Sequence, residues 1–122
     1  MAVHSTLKVT LLFILVMQAV PVTTDPPQAR VMVFGDVIMH KPVTNSGYDP
    51  VLQTYQYDAI FTEVKPVFEQ ADLVIGNLET PLAGQELGFS GYPRFNGPKE
   101  IAGSLKRAGV DVLTTANNHA MD

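Results

Sequence analysis

Three short apolar runs, each ended by glycine or by polar residues, are the feature that most constrains the fold of this chain. They occupy residues 30–34 (RVMVF), 72–77 (DLVIGN) and 110–116 (VDVLTTA). Runs of this length and β-branched content are typical of strands in a parallel sheet. The first is apolar enough to be buried on both faces and to stop at the turn Gly35-Asp36. The pattern predicts a βαβαβ unit with parallel strands and places the chain in the α/β class.

Helical patterns fill the gaps between the strands. Residues 98–109 begin with a proline, carry apolar residues at helical spacing and end at a glycine, which together predict a helix. A second helix is expected over 59–70, where Pro66 restricts how it begins or kinks it. Parallel strands require right-handed crossovers, with helices packed on the sheet faces. The long Pro/Gly-rich segment 80–97 is expected to be an irregular functional loop.

Composition excludes several classes of function. The 122 residues are 46% hydrophobic and 16% charged, which fits one small globular domain. Eight Lys and Arg against twelve Asp and Glu give a net charge of -4, so we expect no nucleic-acid partner. The sequence has no Cys, which excludes disulfides, Cys-based zinc sites and iron–sulfur clusters. Any metal ion must therefore bind through oxygen and nitrogen.

The first 24 residues differ from the rest of the chain. His4 and Lys8 precede the apolar run 9–17, an order typical of a secretory signal peptide. Because the run is shorter than the roughly 20 residues of a membrane-spanning helix, a cleaved signal is favoured, with an uncleaved N-terminal membrane anchor or a buried core helix as alternatives. A linker is expected at 25–29. The location predicted is extracytoplasmic, either secreted or anchored to the outer face of the cytoplasmic membrane.

Polar residues follow all three predicted strands. In a parallel sheet the carboxyl ends of the strands lie at one edge, so segments 35–36, 76–80 and 117–122 are expected to meet there. Together they supply Asp, Asn, Glu and one His. This oxygen-rich set suits Mn, Mg, Fe or Zn and does not suit soft metals.

Four motifs in order resemble the CapA family of bacterial capsule and poly-gamma-glutamate biosynthesis proteins: GDVIMH at 35–40, ADLVIGNLETPL at 71–82, GYPRFN at 91–96 and ANNHAMD at 116–122. That family is similar to calcineurin-like metallophosphatases, whose α/β/β/α sandwich carries a two-metal site at the strand ends. The resemblance implies that residues 30–122 are the N-terminal part of such a domain. Because the later His-bearing motifs are absent from this sequence, we expect a truncated domain.

The resemblance also implies roles for individual residues. Asp36 would be a ligand of the first metal ion, and the segment from Asn77 to Glu79 would take the place of the bridging carboxylate. Asn118 would be a ligand of the second metal ion, and His119 would be the catalytic residue that faces the substrate. A complete domain would then hold two divalent ions, which would activate water and clamp a phosphoester or similar substrate.

The sequence departs from the metallophosphatase pattern at two positions. Ile38 stands where the pattern has a His, and Asn77 stands where it has an Asp. A neutral amide bridges metal ions poorly, so Glu79 is the candidate anionic ligand of its loop, and His40 is a second candidate for compensation.

Arg94 and Asn96 are the candidate substrate-binding residues of the 80–97 loop. An Arg there would hold a phosphate or carboxylate group with two parallel hydrogen bonds. Each candidate residue also has a structural interpretation: Asp36 as a turn residue, His119 as an ordinary packed histidine, Glu79 as a solvated side chain, and Arg94 with Asn96 as loop packing plus a surface charge.

The leading hypothesis is an exported CapA-like protein in the synthesis, attachment or export of an anionic capsule polymer, either poly-gamma-glutamate or a capsular polysaccharide. If the full-length domain exists, it would act as a metallophosphatase-like hydrolase or transferase. The expected partners are the polymer or its membrane synthase complex. The alternatives are a non-catalytic accessory or binding subunit of the synthase, and an inert truncated fragment.

Overall fold

The computed structural model describes residues 25–122, and the predicted signal or anchor segment lies outside the described residues. Along the chain the elements are β1 (Val31–Val37), α1 (Lys41–Ser46), β2 (Tyr48–Asp49), β3 (Thr54–Tyr55), a 3-10 turn (Asp58–Phe61), α2 (Lys65–Phe68), β4 (Leu73–Leu78), a second 3-10 turn (Gln85–Leu87), α3 (Glu100–Ala108) and β5 (Val112–Thr114). Within 25–122, no helix has the length and hydropathy that a membrane crossing requires.

The three apolar runs form one parallel sheet with β4 in the centre and β1 and β5 on either side. Strands β2 and β3 form a separate antiparallel hairpin in the part of the chain that connects β1 to β4. Helices lie between the successive strands of the parallel sheet, so the α/β class and the parallel βαβαβ unit predicted from the sequence are confirmed. The sheet is a partial version of the sandwich that the resemblance implies.

Helix α3 confirms the prediction for residues 98–109. It ends where Gly109 adopts a left-handed conformation with φ of 107°, and the Gly109 N–H meets the carbonyls of the last turn. Glu100 lies in the first turn and two basic residues lie in the last, which complements the helix dipole. Ile101 and Leu105 are completely buried against the sheet. Capping and one apolar face therefore define this helix.

The continuous helix predicted over 59–70 is wrong. The 3-10 turn at Asp58–Phe61 ends before α2 begins, and α2 covers only Lys65–Phe68. Pro66 lies in the first turn of α2, because proline has no N–H to donate and is tolerated only there. The short helix still delivers Phe68 to the core, where its ring stacks on Phe34.

The core lies on one face of the sheet. Val74 and Leu78 of β4 point into it, and α3 closes it from above. Tyr57 is completely buried in the same cluster and donates a hydrogen bond from its hydroxyl to the Thr44 carbonyl over 2.9 Å. Its burial raises the pKa of the Tyr57 hydroxyl well above the usual range. The hairpin and α1 are thus tied to the sheet through one buried tyrosine.

The prediction that the first strand is buried on both faces is wrong. Val31 and Val33 are 53% and 70% exposed, and Val112 on the other edge strand is 43% exposed. In register with Leu73 and Ile75 of β4, these side chains form an apolar face. Among residues 25–122, the helical core elements pack only against the opposite face. The apolar run therefore predicted the strand correctly, but it did not show how many faces of the strand are covered.

Strand β1 also does not stop at Gly35-Asp36. Val31 to Val33 pair in regular register with Leu73 to Ile75, but Asp36 pairs with Asn77, so β1 contains one extra residue there. Such a bulge reverses which face the following side chains occupy. Regular pairing would set Gly35 beside Asn77 and turn Asp36 toward the helices. The bulge instead brings Asp36 to the open face beside Asn77, and pairing continues to Val37.

The packing of Phe34 over Gly76 predicts that β4 tolerates no side chain at this position. A Cβ added at Gly76 would overlap the Phe34 ring, which is stacked on Phe68 at 5.3 Å. We expect Gly76→Ala to lower the free energy of unfolding by about 1–3 kcal/mol, measured by urea denaturation. Gly35→Ala is the matched control, because no atom lies within 4 Å of its added Cβ. Equal stability of the two variants would contradict this packing.

Candidate functional site

One row of polar side chains crosses the carboxyl end of the sheet. Asp36, Asn77 and Thr114 are in register on β1, β4 and β5. The Asn77 amide donates to the Asp36 carboxylate over 2.7 Å, and the Thr114 hydroxyl donates to the Asn77 amide oxygen over 3.0 Å. The bulge in β1 is what places Asp36 in this row. The strand-end convergence expected from the sequence is therefore present in the structure.

A second group of polar side chains lies directly beyond the row. The His119 ring has Asp122 on one side, with 2.7 Å from Nδ1 to the carboxylate oxygen, and Glu79 on the other, with 3.7 Å from Nε2 to Oε1. Each of these three side chains is 15% exposed or less. The imidazole is thus held between two carboxylates in a largely enclosed position.

Electrostatics distinguish the two carboxylates. Removal from water, together with the neighbouring Asp36 carboxylate, raises the pKa of Glu79, while His119 opposes this rise. The backbone N–H of Phe95 is the largest cause that lowers the pKa of Asp122, and His119 and Arg94 lower it further. Glu79 and Asp36 therefore form a like-charged pair, whereas Asp122 is stabilised as an anion.

Phe95 joins the 80–97 loop to this group. Its ring meets the His119 ring edge to face, with centroids 4.7 Å apart, and meets the His40 ring in the same way at 5.0 Å. Its backbone N–H donates to the Asp122 carboxylate over 2.7 Å. His40 is the second candidate to compensate for the departures from the metallophosphatase pattern. Its ring packs against Phe95, and the residue is exposed.

The turn after β5 uses its two asparagines differently. The Asn117 amide donates to the Leu78 carbonyl over 3.1 Å, and its oxygen accepts the His119 N–H over 2.9 Å. Asn118, the predicted ligand of a second metal ion, is exposed. Asn117 therefore fixes the turn to β4 and sets the direction in which His119 leaves it.

The two predicted substrate-binding residues lie in different surroundings. Arg94 is exposed and lines a groove of about 520 Å³ together with Lys41 and Asp122. Asn96 also borders the groove, but its side chain is buried: its oxygen accepts from the Ala83 N–H, and its amide donates to two loop carbonyls over 2.8 and 2.9 Å. Asn96 therefore stabilises the 80–97 loop through its hydrogen bonds, and Arg94 places a positive charge at the groove.

The donor set is only part of what a two-metal centre needs. Asp36 and Glu79 offer carboxylate oxygens that suit a hard divalent ion. Within the part of the chain that the structure describes, no three His, Asp or Glu side chains are arranged to hold a metal ion. The Asn77 oxygen also already accepts a hydrogen bond from Thr114. Residues 25–122 do not by themselves fit a two-metal centre.

Comparison with known proteins identifies the family. A family model described as "Bacterial capsule synthesis protein PGA_cap" matches residues 30–122. The chain belongs to this family. The match covers every strand of the sheet and the whole candidate site, so the predicted resemblance to CapA proteins is confirmed.

Two relatives are similar in sequence over most of this chain. The "PGA biosynthesis protein CapA" of Bacillus subtilis (strain 168) is 34% identical over 90 residues, which are 72% of this chain and 22% of that protein. The "Capsule biosynthesis protein CapA" of Bacillus anthracis is 29% identical over 94 residues, 72% of this chain and 21% of that protein. The chain thus spans about a fifth of the length of these relatives. No solved structure matches it significantly.

Asp122 and Asn117 are among the site residues to which the sequence analysis assigns no role. The spacing of three residues between His119 and Asp122 is a usable signal, because one tight turn brings such residues together. Asn117 carried a weaker signal as the first of two adjacent asparagines, and sequence alone does not distinguish which of the two points inward.

The hydrogen bonds of Asn96 predict a structural effect of its removal. Asn96→Ala leaves a backbone N–H and two carbonyls of the loop without their partner, so we expect a loss of about 1–3 kcal/mol of unfolding free energy. Limited proteolysis should also cut the 80–97 loop faster. The control is Asn45→Ala at an exposed position of α1, which should change stability by less than about 0.5 kcal/mol. Equal effects of both substitutions would disprove the assignment.

Proposed function

We propose that this protein takes part in capsule polymer synthesis by holding an anionic polymer, poly-gamma-glutamate or an acidic capsular polysaccharide, in the groove beside His119. Membership of the capsule synthesis family supports a role in this process, and the names of both relatives refer to capsule or PGA biosynthesis. The proposed location is outside the cytoplasmic membrane, where the polymer or its synthase complex would be the partner.

The observation that carries the proposal is the position of the charges around the groove. Arg94 and Lys41 are exposed on its wall in a chain with a net charge of -4. Two cations that line one groove attract a repeating anion, and the planar guanidinium of Arg matches a carboxylate or phosphate with two hydrogen bonds. The groove also reaches Asp122, the direct neighbour of His119. A polymer in the groove would thus pass close to the histidine.

The groove predicts which cations matter for polymer binding. We expect Arg94→Ala to weaken binding of poly-gamma-glutamate about tenfold, the loss of one charge-assisted hydrogen bond of roughly 1.4 kcal/mol, measured by isothermal titration calorimetry. Lys41→Ala should weaken it in the same direction. Lys106→Ala is the control, an exposed cation in the last turn of α3. Equal affinities of the Arg94 and Lys106 variants would contradict binding in this groove.

The cellular form of the test uses a capsule-producing host that lacks its own copy of the gene. Complementation with Arg94→Ala should restore less surface polymer than complementation with Lys106→Ala at equal protein level. Full restoration by both variants would remove the groove from capsule synthesis.

A second candidate function is metal-dependent hydrolysis or transfer at the strand ends. Two observations favour it: His119 is enclosed between Glu79 and Asp122, and Asp36 lies beside Glu79. Asp36 and Glu79 would contribute two ligands, and further ligands would have to come from outside the described residues. His119 would stand beside the bound polymer as the proton-transferring group.

Metal binding separates this candidate from a binding or accessory role. If it is correct, a full-length version that carries the further ligands binds about two Mn²⁺ ions per chain by calorimetry, and Asp36→Ala and Glu79→Gln each lower the occupancy. Glu86→Gln, at an exposed loop position, is the control and should leave occupancy unchanged. The binding role alone is supported if neither Asp36→Ala nor Glu79→Gln changes the amount of bound metal.

A further inference from the structure

We infer that Asp122 is a positioning residue, which holds the His119 ring with its proton on Nδ1 and with Nε2 directed toward Glu79. The geometry on both sides of the ring points to this role. Nδ1 lies 2.7 Å from the Asp122 carboxylate, and Nε2 lies 3.7 Å from Glu79 Oε1.

The chemistry of the two contacts fixes the direction of the hydrogen bond. An ionised carboxylate has only acceptor oxygens, so the short contact to Asp122 requires Nδ1 to be the donor. In a neutral imidazole the other nitrogen then carries the lone pair. That nitrogen is Nε2, which faces Glu79 and the polar row of the sheet. Asp122 therefore selects which nitrogen of His119 is available to the site.

Asp122 is itself held in place by the 80–97 loop. The Phe95 N–H donates to the same carboxylate oxygen that contacts His119, and the Phe95 ring packs edge to face on the His119 ring. One loop residue thus orders the carboxylate through its backbone and the imidazole through its ring. The turn at the end of β5 is closed by the Asp122 N–H, which donates to the His119 carbonyl over 3.1 Å.

A purely structural role for Asp122 is distinguishable from a positioning role. A structural residue would affect stability and loop order and would leave the protonation of each ring nitrogen unchanged. A positioning residue determines the tautomer, which long-range ¹H–¹⁵N correlation of the ring measures directly. The tautomer is present whether or not a polymer binds. The inference rests on the proposed function only for the statement that His119 faces the polymer.

The experiment is performed on the uniformly ¹⁵N-labelled full chain at an alkaline pH, where imidazole side chains are neutral. We expect the Nδ1–H form to dominate in the wild-type protein. Asp122→Ala should remove this preference, and Asp122→Glu should restore it, because the longer side chain still offers a carboxylate in this turn. Phe95→Leu is the control: it removes the ring contact, keeps the N–H bond to Asp122, and should leave the tautomer unchanged.

The wild-type spectrum decides the question even if a variant fails to fold. A dominant Nε2–H form in the wild-type protein would overturn the inference. It would be overturned equally by a folded Asp122→Ala protein that keeps the wild-type tautomer. Polymer binding by the Arg94 variant is measured separately, so failure of the proposed function leaves this result interpretable.

Discussion

The bulge in β1 is the constraint on which the candidate site depends. It inserts one residue between Val33 and Asp36, after which every side chain of the strand occupies the face opposite to the one that regular alternation would give. Asp36 consequently lies beside Asn77 instead of facing the apolar core. An unpaired carboxylate in that core would cost several kcal/mol. The bulge therefore avoids this cost and also places Asp36 in the polar row.

The site also depends on the ordering of the 80–97 loop. The buried Asn96 side chain satisfies backbone polar groups of the loop. At the start of the loop, the Thr80 hydroxyl accepts the Met39 N–H over 2.8 Å, which ties the loop to the segment that follows β1. A loop held in this way presents Phe95 to His119 and Asp122, and Arg94 to the groove. The same segment therefore connects the fold, the position of the histidine and the charge that faces solvent, which is why its residues differ in function although they are adjacent.

Local sequence patterns predicted the parts of the fold that depend on local physics. Apolar runs located all three sheet strands, and a proline start with a glycine end located α3. The number of faces covering β1 depends on distant segments, so the run 30–34 could not reveal it. The bulge has no local marker, since Gly35 has open space around it and no left-handed backbone. Helix α2 was predicted too long because Pro66 acts as a start of a helix.

For the site, strand topology predicted the meeting of Asp36, Asn77, Glu79 and His119, whereas the role of each side chain depends on contacts that sequence does not show. Asn96 and Arg94 are two residues apart, yet one is buried and the other exposed. The candidate site requires the strand pairing that places Asp36 on the open face of the sheet. Cross-strand nuclear Overhauser effects between β1 and β4 test it most directly. We expect contacts of Asp36 with Asn77. Contacts of Gly35 with Asn77 in an unbroken register would show that β1 has no bulge.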